Sequence, residues 1–248
     1  MRASELNDAG KQAYREKDYV KAFEYYKKAA VSGNVEALNN LGDCYEKGKG
    51  TKQDCFMAKE CYEGALERGS TIALINLGDL YEDGGEGFPI DYNKAFDFFS
   101  KAAEKNKASA LFRLGLLYVA GKGCSKDIGK AIECYKKIAD KGYGLAARNL
   151  AIIYEEDRGE FEKAFEYYKK AAEAKQAKSK NAEYSLGRCY YKGIGCIQDK
   201  QKGLDLIRKS ASEGNENAKK FLSANGYKHV DKQSSDTNSS LFDDGQSE

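Results

Sequence analysis

The 248-residue chain has no tryptophan, one proline (Pro89) and one histidine (His229). Each scarcity excludes something. With a single proline, few helix interiors lose an N–H or meet a ring clash. With a single histidine, a Cys/His zinc site lacks its imidazoles. None of the seven cysteines (Cys44, Cys55, Cys61, Cys124, Cys134, Cys189, Cys196) forms a C-x-x-C pair either. A Cys–His catalytic pair would have to recruit His229 near the C-terminus, and no carboxylate pair stands apart from ordinary surface charge. No cofactor motif emerges. No stretch approaches the roughly 18 consecutive apolar residues of a membrane span. The opening MRASELNDAGKQ has no apolar signal-peptide core. The expectation is a cytoplasmic protein without membrane insertion and with reduced thiols.

What is present is balanced charge and ample apolar material. The 41 basic and 39 acidic residues leave a net charge of +2, and 41% of residues are hydrophobic. Such a balance offers no electrostatic reason to expect nucleic acid as a partner.

The string KAFEYYKKAA occurs twice, at 21–30 and 163–172. Aligned on its first alanine, Ala22, Ala58, Ala95, Ala131, Ala164 and Gly203 recur at spacings of 36, 37, 36, 33 and 39 residues. A second marker, Leu41-Gly42, Leu77-Gly78, Leu114-Gly115, Leu150-Ala151, Leu186-Gly187 and Leu222-Ser223, keeps spacings of 36, 37, 36, 36 and 36. Two markers with one period define a repeat. At 100° per residue, Ala22, Tyr26, Ala29 and their flanking aromatics share one arc while Lys21, Glu24, Lys27 and Lys28 fill the other. Ala22 and Ala29 then admit a neighbouring helix. Tyr26 fills the gap between them, as do Tyr62, Phe99, Tyr135, Tyr168 and Ile207 in later units. Asp18, Asp54, Asp91, Asp127 and Asp199 each precede the aligned residue by four, where a carboxylate caps a helix start. Gly33, Gly69, Gly142 and Gly214 follow the helix ends. Gly48-Lys-Gly50, Gly121-Lys-Gly123 and Gly193-Ile-Gly195 lie between the two helices. Lacking a preceding strand and a following Lys-Ser/Thr pair, they read as tight turns rather than phosphate loops.

Residues Ala37, Leu41, Gly42, Tyr45, Gly48, Gly50, Asp54, Ala58, Tyr62 and Ala65 together resemble the Sel-1-like repeat, a relative of the tetratricopeptide repeat. Units from Ala110 and Ala182 match nearly as well, and the unit from Ala73 carries a loop expanded by one residue, GGEGFPID. The first and fifth units, which hold the two decapeptides, have shorter loops. The resemblance covers about residues 4–225 and implies an all-α, right-handed α-solenoid of about six helix-turn-helix repeats. The expected units are about 4–34, 35–70, 71–107, 108–143, 144–180 and 181–214, with a cap at 215–226 and a disordered acidic, Ser-rich tail at 227–248. The tail's SSLFDD, with Ser239 and Ser240, reads as an inert solubilising segment, a short linear motif or a phosphorylation target. Secreted bacterial members of the family bridge the two helices of each repeat. Here no unit after the first full one keeps such a pair. Cys44 with Cys61 stays geometrically possible, and free thiols are the expectation. The resemblance implies scaffold or adaptor roles and no reaction.

First helices line the concave face of such solenoids. The residue before each marker leucine is Asn40, Asn76, Arg113, Asn149 and then Ser185. An amide both donates and accepts, so a ladder of amides suits capture of an extended peptide. The other reading is that these amides bond within the scaffold. Neighbouring positions supply Asn39, Asp43, Glu46, Asp79, Glu82 and Asp83 early, and Phe112, Leu116 and Val119 in the middle. Ile152 with Glu155 follow, and Tyr184, Arg188, Tyr191 and Lys192 come last, so the groove reads acidic early, apolar in the middle and basic-aromatic late. Phe112 and Leu116 fit groove and core equally. The pattern suggests a non-catalytic adaptor holding an oriented peptide or partner domain. The alternatives are a regulatory subunit or assembly factor acting through its convex face or thiols and, more remotely, a hydrolase. Oligomeric state is not legible.

Overall fold

The computed structural model describes residues 1–175 and 181–227. The exit segment at 176–180 and the tail from 228, with His229, Ser239 and Ser240, lie outside the described residues. Thirteen α-helices and no strand occur among those described, which is the all-α, α-solenoid class of fold. The chain forms two compact units, Met1–Lys137 and a second that starts at Ile138. The first holds α1 (Ala3–Arg15), α2 (Tyr19–Val31), α3 (Val35–Lys47), α4 (Cys55–Glu67), α5 (Thr71–Asp83), α6 (Tyr92–Glu104), α7 (Ala108–Ala120) and most of α8 (Ile128–Ala139). The second holds α9 (Gly144–Ile152), which runs into a π-helical turn (Ile153–Asp157), then α10 (Phe161–Glu173), α11 (Ala182–Lys192), α12 (Lys200–Ser212) and α13 (Glu216–Ala224).

The decapeptide behaves as its periodicity predicts. Ala22, Tyr26 and Ala29 of α2 are buried, as are Ala164, Tyr168 and Ala171 of α10, and every lysine of both copies is exposed. The marker glycine of the first helix explains how the stripe packs. A Cβ on Gly42 would run into the Tyr62 ring. One on Gly78 would stand 2.5 Å from the Phe99 ring, and one on Gly115 2.5 Å from Tyr135. Gly10 of α1 would meet Tyr26 at 2.6 Å, which puts α1 in the same register although it lacks the Leu-Gly pair. The ring occupies the space a side chain would fill, and the helix pair closes on bare backbone.

The turn is set by three backbone devices. Gly48, Gly121 and Gly193 end their helices in the left-handed region at φ 62°, 65° and 73°. The amide of the next cap residue then bonds back across the turn: Asp54 N donates to Tyr45 O at 2.9 Å, Asp127 N to Tyr118 O at 3.0 Å and Asp199 N to Tyr190 O at 2.9 Å. All five predicted aspartates cap through Oδ1 (Asp18, Asp54, Asp91, Asp127, Asp199). The second glycine of each turn joins repeat to repeat. A side chain on Gly50, Gly123 or Gly195 would collide with the carbonyl of Tyr19, Tyr92 or Phe161, the residue that opens the previous unit's second helix. Lys49 and Lys122, between the glycines, place their ammonium groups 4.7 and 4.4 Å from the Tyr19 and Tyr92 ring centroids. The phosphate-loop alternative has no role to fill here, because the glycines are occupied by packing.

The expanded third loop solves the same problem differently. Gly85 and Phe88 form an isolated antiparallel bridge that tucks Phe88 between Phe56 and Tyr81, each at 5.2 Å between centroids. Cys55 stands where three other units have Tyr19, Tyr92 or Phe161, its thiol against the bare Cα of Gly85.

These contacts separate two kinds of glycine. Gly33→Ala faces open space and only the strain of φ 86°, an expected loss of about 1 kcal/mol. Gly50→Ala adds a collision with the Tyr19 carbonyl and should cost about 3 kcal/mol. Urea unfolding of the two variants checks the ranking, and equal losses would show that the inter-repeat contact is not tight.

Candidate functional site

Within the first unit, the first helices α3 and α5 border a groove of about 510 Å³ lined by Val35, Glu36, Asn39, Asn40, Asp43, Arg68, Gly69, Ser70, Ile72 and Asn76. Four residues singled out from the sequence (Asn39, Asn40, Asp43 and Asn76) meet there. The amides do not project freely. Asn40 Nδ2 donates to Asn7 Oδ1 at 3.0 Å, and Asn7 Nδ2 donates to Glu36 Oε2 at 2.9 Å. Asn39 Nδ2 donates to Val35 O at 3.1 Å and to Ser70 Oγ at 2.9 Å, while its Oδ1 accepts from Asn76 Nδ2 at 3.4 Å. Asn40 and Asn76 each therefore reach back to the first helix of the preceding repeat. The ladder staples α1 to α3 and α3 to α5, and it also forms the groove wall.

Further along α5 and α7 the connection is ionic. Arg113 Nη2 lies 2.9 Å from Asp79 Oδ1 and Arg113 Nη1 lies 3.5 Å from Glu82 Oε2. Neither buried oxygen accepts a directed hydrogen bond, so charge rather than geometry holds the clasp. Burial pushes the Asp79 carboxyl up to about 6. Arg113 opposes the shift, and Glu82, Asp83 and Glu46 add to it. Glu46 is itself raised by burial, and Tyr62 OH donates to it at 2.6 Å. Asp43 pairs with Lys47 one turn on. Phe112 is half-buried, its ring 5.8 Å from Tyr135, so it faces partly into the helix pair.

The second unit has its own version. Glu155, in the π-helical turn, accepts from Tyr168 OH at 2.7 Å and pairs with Arg188 of α11. Asn149 is half-buried on α9. Tyr191 packs edge-on against Phe221 at 5.2 Å, and its hydroxyl lies 3.4 Å from that of Tyr227. One register thus repeats in both units. The residue five after the marker leucine is a glutamate that receives the hydroxyl wherever the stripe residue is Tyr62 or Tyr168. Where the stripe residue is Phe99, the equivalent Glu82 turns to an arginine instead.

Sequence reasoning missed Asn7, Glu36, Ser70 and Ile72. Asn7 was findable, because alignment of Gly10 with Gly42 puts it in register with Asn39. Ile72, 55% exposed on the groove rim, carries no periodic signal. The thiols are core material. Cys44 and Cys61 share one cluster with Phe23 and Tyr26, and all seven cysteines are free. Burial pushes Cys44 and Cys189 up to about 12 and Cys61 to about 11.

With this geometry in view, the chain matches the Sel1 repeat over residues 3–34, 35–70, 71–107, 108–143, 144–175 and 180–215. It is 34% identical over 218 residues to DAP3-binding cell death enhancer 1 of Rattus norvegicus, covering 88% of this chain and 35% of that protein. The chain thus spans about a third of that relative's length. Among solved structures it is similar to a Sel1 repeat protein from Oxalobacter formigenes, with TM-score 0.76, 30% identity and 88% of each chain covered. It is also similar to c5321, a protective antigen of uropathogenic Escherichia coli with an SLR fold. There the TM-score is 0.71 and the identity 30%, covering 83% of this chain and 44% of that one.

Two predictions come from the buried groups. Asp79, near 6 in the folded chain, titrates near 3.9 when unfolded. Its contribution to stability is fully present below the unfolded value and is lost as pH rises through the folded one. On going from pH 4 to pH 7.5, the stability of Asp79→Asn relative to wild type should therefore rise by about 2 kcal/mol. Urea unfolding across that range measures it, and a pH-independent difference would exclude the shift. In the native protein, iodoacetamide should label the half-exposed Cys124 and Cys196 well before Cys44, Cys61 and Cys189. Peptide mass mapping over time gives the order.

Proposed function

The chain belongs to the Sel1 repeat family, and on that premise we propose that it is a non-catalytic scaffold holding a protein or peptide partner on the first-helix face of its repeats. Sel1 repeat proteins are generally protein-interaction scaffolds and generally not enzymes. The supporting observation is the groove of about 510 Å³ in the first unit, where polar anchors converge beside the exposed Ile72. A concavity with a few fixed polar groups and an unburied aliphatic side chain is the usual form of a recognition site. In this reading Asp79, Phe112 and Arg113 extend the face within the first unit, and Asn149, Arg188 and Tyr191 are its counterparts in the second. The name of the rat relative speaks of binding a protein, which agrees with a protein partner. The reading calls for no cofactor. The described residues contain no cluster of His, Cys, Asp and Glu suited to a metal, and no helix there is long and apolar enough to cross a membrane. A thiol-based role has less support, since burial makes the core cysteines poor nucleophiles.

The test uses a pair of exposed isoleucine and valine positions. Ile72→Glu places a charge on the groove rim, whereas Val31→Glu alters a side chain 86% exposed at the end of α2. With the tagged full chain as bait, Ile72→Glu should lose the specific partners by about tenfold while Val31→Glu retains them. Circular dichroism should be unchanged in both. Equal capture by the two variants would sink the first-helix-face assignment.

A further inference from the structure

The amide orientations in the groove follow from their neighbours and decide what the groove can hold. A carboxylate accepts hydrogen bonds and never donates. Glu36 takes Lys11 Nζ on Oε1 at 2.7 Å and Asn7 Nδ2 on Oε2 at 2.9 Å. Asn7 must therefore give its NH2 group to Glu36 and turn its oxygen to Asn40, which must donate in turn. Asn39 is oriented in the same way. Its NH2 group is bound to the carbonyl of Val35, so its oxygen faces Asn76, and Asn76 donates. In both chains one N–H of the donating amide is committed to the preceding repeat. The Oδ1 atoms of Asn40 and Asn76 accept nothing among the described residues.

The charges point the same way. Asp43 lines the groove, and Glu46, Asp79, Glu82 and Asp83 follow in the later turns of α3 and α5, where the helix ends add partial negative charge. The nearby cations are engaged, Lys11 with Glu36, Lys47 with Asp43, and Arg113 with Asp79 and Glu82. Arg68, the cation in the lining, stands before the start of α5 and donates to Gly64 O at 2.7 Å. The groove thus sets the Asn40 and Asn76 oxygens beside the Asp43 carboxylate, and the other carboxylates of α3 and α5 lie beyond its lining toward the helix C-termini.

We infer that the groove takes a basic side chain, arginine or lysine, on an extended segment of a protein partner. The cation sits between the amide oxygens of Asn40 and Asn76 and the carboxylate of Asp43, and the segment's apolar neighbour lies on Ile72 and Val35. The inference rests on the first-helix face being the binding face, and it names what that face selects. It gives the amide oxygens of the ladder a cation to accept, with Asp43 supplying the charge.

The test is a titration of the isotope-labelled full chain with three acetylated, amidated pentapeptides. They share isoleucine flanks and differ only in a central arginine, glutamine or glutamate. The arginine peptide should shift the amides of residues 39–43 and 70–76 and bind about tenfold more tightly than the glutamine peptide. That preference should collapse at about 0.5 M salt and in Asp43→Asn, which removes only one partner of an exposed i,i+4 pair. Should Asp43→Asn lose helicity, the salt dependence of the wild type decides. Equal binding of arginine and glutamine, a preference for glutamate, or arginine-specific shifts elsewhere on the chain would overturn the cation assignment. In the first two cases, shifts that stay in the groove leave the binding face intact. No groove shift with any of the three peptides would remove the face itself.

Discussion

The fold depends on one contact, an aromatic ring laid on a glycine. Tyr26 on Gly10, Tyr62 on Gly42, Phe99 on Gly78 and Tyr135 on Gly115 are the same event in successive repeats. A glycine inside a helix costs about 1 kcal/mol relative to alanine, and burial of a large side chain returns about 1.5–3 kcal/mol. The exchange is favourable only if the ring reaches the backbone, which is why ring and glycine recur with one period. The fifth repeat has Ala151 in the glycine position, and there the helix passes into a π turn two residues later. That turn still keeps Tyr154 stacked on Tyr167 and Glu155 on Tyr168, so the register of side chains outlasts the change in backbone.

A chain of such contacts was largely legible in advance because its signals are local. Capping aspartates, helix-ending glycines and an apolar arc each depend on residues within one or two turns, and all five aspartates cap as expected. The second glycine of each turn was legible only as a residue of unusual φ. Its meaning as a contact with the previous repeat's opening carbonyl needs two units seen together. Asn106, at φ 55°, ends α6 where other repeats use glycine, a substitution that asparagine tolerates but no spacing argument reveals.

The candidate site was legible as a set of positions and illegible as chemistry. Asn39, Asn40, Asp43 and Asn76 do share a groove, as their register requires. Which end of each amide faces outward depends on Glu36 and on the carbonyl of Val35. One of these lies a repeat away from the amide it orients, and the other is a backbone group. Period and spacing carry no information about the direction of a hydrogen bond. Ile72 shows the complementary limit, because an exposed isoleucine on a helix is unremarkable until a cavity is found beside it.

On the proposed binding face, stacking and recognition draw on the same polar atoms. One N–H of each stapling amide is bonded inside the scaffold, where leaving it orphaned would cost about 1–3 kcal/mol. A carbonyl oxygen has two lone pairs and tolerates partial solvation more easily. Each such staple leaves its own oxygen outside the joint, and carboxylates such as Asp43 add further acceptors beside it. Where an arginine replaces the amide, as at Arg113, the staple becomes an ion pair that draws Asp79 and Glu82 inward and leaves less charge for a ligand. The identity of one residue per repeat thus sets both how neighbours are joined and how many polar atoms the proposed binding face keeps outside those joints.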